Sequence, residues 1–143
     1  MAISYFFEQT TFPFLEKEHT QWITQILENE NCILGEINVI FCNDTYLHKI
    51  NVDFLNHDTL TDIITFDNSI GNLLHGEIYI SADTVKSNAV DFKVSFEKEL
   101  ARVLIHGFLH LCGYKDKTDA DQQEMTRKED ESLEIAQAFL VLQ

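Results

Sequence analysis

The chain has 143 residues, 45% of them apolar and 24% charged, which suits a single domain over residues 1–143 with a sizeable core. Ten basic against twenty-four acidic residues give a net charge of −14, which argues against broad, unaided attraction to nucleic acid but leaves room for a local basic patch, a metal-mediated phosphate contact or a protein partner. No apolar run is long enough to span a membrane, the first residues do not read as a secretory signal, and Cys32, Cys42 and Cys112 show no Cys-x-x-Cys spacing, so free thiols in a reducing cytosol are expected.

Residues 3–7 are apolar and β-rich and read as a first strand. Residues 10–13 form a turn, with the single proline just before a helix over 16–29. That helix places Trp22, Ile23, Ile26 and Leu27 on one face; its His19 is expected on the solvated surface. Gly35 ends the connection, and 36–41 is a second strand in which Ile37, Val39 and Phe41 alternate. Asn43 and Asp44 start a helix reaching about Val52 or Phe54, with Leu47 and Ile50 inward and His48 outside. The polar stretch 55–62 is too rich in hydrogen-bonding groups for a plain connector and leads to a buried third strand over 63–66. A loop over 68–75 holds Gly71, and 76–81 is a fourth strand. Asp83 can cap a helix to about Val90 or Phe92, and Ser95 caps a central helix whose positive end Glu97 and Glu99 favour. Thr118 to Asp121 looks like a capping box for a last acidic helix to about Phe139, with Met125, Ile135, Ala136 and Phe139 inward. With strands early and helices late, the expected fold is α+β: a four-stranded mixed sheet covered by helices, with the central helix buried.

That central helix carries the chemistry. Leu100, Val103, Leu104, Ile105, Phe108, Leu109 and Leu111 leave it almost no polar face, yet it bears His106 and His110, four apart and on one side. Gly113 can end the helix in a left-handed turn, so the chain can fold back and aim Asp116 at both rings. Two nitrogens and one oxygen on a rigid frame suit zinc with an open coordination position. Cys112, two residues from His110, is expected to point elsewhere.

Other chemistries lack their motifs. There is no phosphate-binding glycine loop and no Gly-x-Ser-x-Gly. The histidine spacing matches the zinc peptidases, but Gly107 stands where their general-base glutamate belongs.

The stretch His106-Gly107-Phe108-Leu109-His110-Leu111-Cys112-Gly113-Tyr114-Lys115-Asp116 resembles the signature His-Gly-x-Leu-His-Leu-x-Gly-Tyr-Asp-His of the YbeY family of bacterial metal-dependent endoribonucleases, or rRNA maturation factors. Thr61-Asp62-Ile63-Ile64-Thr65-Phe66 and Gly76-Glu77-Ile78-Tyr79-Ile80-Ser81 resemble two further family blocks in the same order, and the likeness covers about residues 36–135. The resemblance implies a cytosolic protein holding one zinc through three side chains. It implies cleavage of single-stranded RNA, 3′-end maturation of the 16S rRNA precursor, ribosome quality control, and contact with the ribosome or its proteins. Two positions depart from it. The third family ligand is a histidine and is Asp116 here, an acceptable ligand that lowers the site charge by one unit and could favour another divalent transition metal, iron or manganese, over zinc. The family's arginine after Asn-x-x-Tyr/Phe is replaced by Leu55, which removes a group able to clamp phosphate. His57, Lys115 or Lys117 could take its place.

On this reading His106, His110 and Asp116 hold the metal, which activates water or helps the RNA's own 2′-hydroxyl attack a phosphate. Asp62 either supports a ligand histidine or caps its loop; Glu77 has the same two readings. Arg102 either reaches phosphate or pairs with a neighbouring glutamate. The alternative from another class is a non-enzymatic ribosome-associated module with a structural metal.

Overall fold

The computed structural model describes residues 2–55 and 61–142. Four strands, β1 (Ala2–Glu8), β2 (Ile33–Cys42), β3 (Ile63–Asp67) and β4 (Leu73–Ser81), form one mixed sheet of order β1-β2-β4-β3. β1 runs parallel to β2 and β2 to β4, while β3 is antiparallel to β4 at an edge. The register sets Tyr5 against Val39, Val39 against Ile78 and Ile64 against Tyr79. The five helices are α1 (Glu16–Asn29), α2 (Asp44–Leu55), α3 (Ala82–Phe92), α4 (Phe96–Leu111) and α5 (Asp119–Ala136). The expected α+β class and mixed sheet are therefore observed.

The two sheet faces are covered unequally. Ile37, Val39, Phe41, Ile78 and Ile80 join Trp22, Ile23, Leu104, Ile105 and Phe108 in the main core, so α1 and α4 lie on that face. Each such side chain, fully buried, stabilises by about 1.5–3 kcal/mol relative to exposure. The opposite face carries a smaller cluster of Cys42, Leu47 and Ile64 beneath α2. α4 is buried along most of its length, as its composition requires, and Ser95 caps it by accepting from Lys98 N at 3.1 Å.

Several local expectations are corrected. His19 is buried, not solvated: Nδ1 donates to the Leu15 carbonyl at 2.7 Å and the ring stacks on Phe14 at 4.1 Å. Gly35 lies inside β2 at a register shift rather than before the strand; a Cβ there would strike the His75 ring. β4 starts at Leu73, three residues earlier than expected. β3 is only half buried because it is an edge strand. Ser81, not Asp83, caps α3, accepting from Thr84 N at 3.3 Å; Asp83 instead accepts from Asp44 N at 3.0 Å and so secures the start of α2.

Candidate metal centre

The site lies where α4 ends. Cys112 is its last cap, Gly113 turns the chain at φ +107°, and Tyr114 N donates to the Leu109 carbonyl at 3.1 Å. The chain then reverses, and Gln122 at the start of α5 donates to the Asp116 carbonyl at 3.1 Å. His106 and His110 leave α4 one turn apart with Nε2 atoms 2.9 Å from each other. Asp116 Oδ2 lies 3.5 Å from His106 Nε2 and 3.3 Å from His110 Nε2. Thus the structure brings together the three residues singled out from the sequence, and their ligand atoms all lie within 4.8 Å of one another.

The donor set fits a divalent ion. His106 Nδ1 donates to Glu129 Oε2 at 2.5 Å, and His110 Nδ1 donates to the Tyr114 carbonyl at 2.9 Å. With both Nδ1 hydrogens so used, neutral rings present bare lone pairs at Nε2, and these face one another beside a carboxylate. A cation relieves that repulsion. Bonds of about 2.0–2.2 Å at tetrahedral angles separate ligand atoms by about 3.3–3.6 Å; the two nitrogen–oxygen distances meet this and the nitrogen–nitrogen distance is a few tenths shorter.

Charge points the same way. Arg102 binds Glu99 through two bonds, Nε at 2.9 Å and Nη2 at 2.5 Å, and reaches Glu129 Oε1 at 3.2 Å. Its bonds to Glu99 are the main cause holding the guanidinium above the ordinary arginine range. Glu99 and Glu129 are 2% and 5% exposed and share the one guanidinium of Arg102, while Asp116 adds a third carboxylate beside the two imidazoles. A divalent cation would offset that negative charge.

Glu129 was missed in the sequence. Glu129 accepts from His106 and the Tyr114 carbonyl from His110, the kind of support considered for Asp62. Asp62 offers its backbone carbonyl to Ser81 N at 2.9 Å, at the entrance to β3. Glu77 lines a cleft with Ile50, Phe54 and Tyr79 beside α2. Its neighbour Ile78 points the other way, towards Gly107. Arg102 pairs with glutamates rather than reaching outward. Leu55 ends α2 and is 38% exposed, Lys115 and Lys117 are exposed on either side of Asp116, and His57 lies outside the described residues. Burial, then the adjacent Cys32 thiol, push the Cys112 thiol up, and Cys112 is not among the grouped ligand atoms.

Gly107 faces the sheet, not the site. A Cβ there would lie 2.9 Å from Ile63 Cδ1 and 3.2 Å from Ile78 Cγ2. A glutamate at 107 would enter the core, so this frame cannot use the peptidase base. On the open side, a cleft of about 250 Å³ is lined by Arg102, His106, Asp116, Gln122, Thr126 and Glu129, together with Met125.

Comparison with known proteins agrees with the resemblance. The family profile described as Endoribonuclease YbeY matches residues 4–137. The chain belongs to the YbeY family. Endoribonuclease YbeY of Flavobacterium johnsoniae is 58% identical over 118 residues, covering 82% of this chain and 85% of the relative. The YbeY of Christiangramia forsetii is 50% identical over 133 residues and covers 93% of each chain. A Thermotoga maritima protein with a known solution structure is 29% identical, with a TM-score of 0.71 over 96% of this chain and 90% of that one. Among the described residues no helix is long and apolar enough to cross a membrane.

Proposed function

We propose that this chain is a metal-dependent endoribonuclease acting on single-stranded RNA, that it works as one domain, and that His106, His110 and Asp116 hold one zinc ion. The carrying observation is a three-donor cluster, two of whose members, His106 and Asp116, line an open cleft, in a member of the YbeY family. When bound, the metal supplies Lewis acidity, which activates water near neutral pH and offsets charge on a phosphate oxygen.

The chain's own residues do the rest. Glu129 and the Tyr114 carbonyl hold the Nδ1 hydrogens, so each ring offers Nε2 to the ion. Arg102 holds Glu129 in place, and Gln122 steadies the turn that carries Asp116. Asp116, 46% exposed, leaves its side of the site open to a phosphodiester. Lys115 and Lys117, exposed on either side of Asp116, would meet RNA phosphate, which Leu55 cannot bind. With a net charge of −14, RNA is held locally rather than by a broad field. The biological setting is 3′-end maturation of the 16S rRNA precursor and ribosome quality control in the cytosol, in contact with the ribosome or its proteins.

The test is cleavage of one RNA, single-stranded and as a duplex, before chelation, after it and after metal is restored. The expected result is cutting of the single strand only, lost on chelation and regained with metal. Cutting that survives chelation, or RNA left intact by fully metal-loaded protein, would contradict the proposal; the second outcome fits a structural metal.

A further inference from the structure

Each imidazole has an acceptor, but the two acceptors are secured differently. Glu129, which serves His106, is a side chain fixed by Arg102. The acceptor for His110 is a backbone carbonyl in the turn directly after Gly113, tied to α4 through hydrogen bonds from the Tyr114 amide to the Leu109 carbonyl and from the Gly113 amide to the His110 carbonyl. The Tyr114 side chain supplies a further tie. The Tyr114 hydroxyl donates to Glu30 Oε1 at 2.5 Å. Lys128 Nζ donates to Glu30 Oε2 at 3.1 Å and stands 5.7 Å from the Tyr114 ring centroid. Glu30 caps the end of α1 and Lys128 lies on α5, so segments 84 and 98 residues apart from Glu30 converge on it. The Glu30 and Lys128 side chains are only 15% and 20% exposed, a setting in which salt screens an ion pair less than at the open surface.

We infer that Tyr114, Glu30 and Lys128 are positioning residues for the metal centre, bracing the backbone at 114 so that it fixes the His110 ring and the approach of Asp116 together. The inference rests on the proposed ligand set. Asp116 follows Tyr114 by two residues, so a shift of that backbone moves a ligand's hydrogen-bond acceptor and a second ligand at once. The brace reaches the site from α1, an element that supplies no ligand. Its loss loosens the site without removing a donor atom.

The test is zinc affinity of the full chain by chelator competition, with the ring N–H signals of the histidines followed by NMR. Tyr114→Phe and Glu30→Leu are expected to weaken zinc binding about tenfold, while Glu30→Gln, which keeps an acceptor for the hydroxyl, stays within about threefold of wild type. The His110 Nδ1–H signal of Tyr114→Phe should exchange faster with water, and that of His106 should not change. Val85→Ala, a truncation of a fully buried residue on α3, lowers Tm without moving the affinity, which separates bracing from general stability. Wild-type affinity in both Tyr114→Phe and Glu30→Leu would overturn the brace and leave the ligand set standing. A wild-type protein that takes up no zinc would overturn the ligand set, and the brace with it.

Discussion

Histidine serves opposite ends in two regions of this molecule. At the start of α1, His19 is packed as an aromatic plate: it stacks on Phe14, which touches Tyr5, Phe12 and Phe41. At the end of α4, His106 and His110 are more exposed and are oriented by directed bonds to Glu129 and the Tyr114 carbonyl. The first region is held by area and shape, which give way by degrees. The second is held by a few hydrogen bonds and ion pairs, each of which leaves a charged or polar group unmatched when broken. The two regions should therefore fail in different currencies, stability in one and metal affinity in the other.

Substitutions can break that contrast or sharpen it. The largest effect is expected in the packed region: Phe41→Ala should cost about 3–5 kcal/mol of stability, read by urea unfolding, and leave the zinc affinity of the folded protein unchanged. Next, His110→Ala should cut RNA cleavage by at least about 100-fold, since several kcal/mol of charge stabilisation depend on the ion, with circular dichroism unchanged. Glu129→Gln keeps an acceptor for His106 but loses the charge facing Arg102; zinc affinity should fall about 10- to 100-fold by chelator competition. The smallest effect concerns pH. Burial lowers the His19 pKa below its ordinary 6.5. The unfolded chain therefore binds the proton first, and the stability that neutral His19 contributes above pH 6.5 is lost as pH falls through the folded value. His19→Phe should flatten the pH dependence of unfolding in that window, and an unchanged slope would contradict the burial account.

Much of this was legible in the sequence because it depends on short-range rules. Spacing placed both histidines on one side of α4, Gly113 marked its end, and Thr118 with Asp121 formed the capping box that starts α5. Glu129 was not legible because its partners are Arg102 and His106, on another helix. It also sits in an acidic run with Glu124, Asp130, Glu131 and Glu134 that reads as a solvated face. One signal was present: Met125, Glu129, Ser132 and Ala136 follow one stripe of α5, and all four are buried. His19 was misread for a related reason. It sits in the polar run Glu16 to Gln21, but Trp22, Ile23 and Ile26 at helical spacing put it on the apolar face, and Phe14, before the helix begins, stacks on it. The early start of β4 was hidden because its first residues, Leu73 and Leu74, pair with β2 ahead of a register shift that no local pattern announces.

The account turns on three side chains sharing one ion and that ion enabling RNA cleavage. The most direct measurement is metal content of protein purified without added metal, alongside single-stranded RNA cleavage, on wild type and His106→Ala in parallel. The account predicts close to one metal per wild-type chain with active cleavage, and loss of both in the variant while it stays folded. Equal metal content or equal cleavage in the two proteins would contradict it.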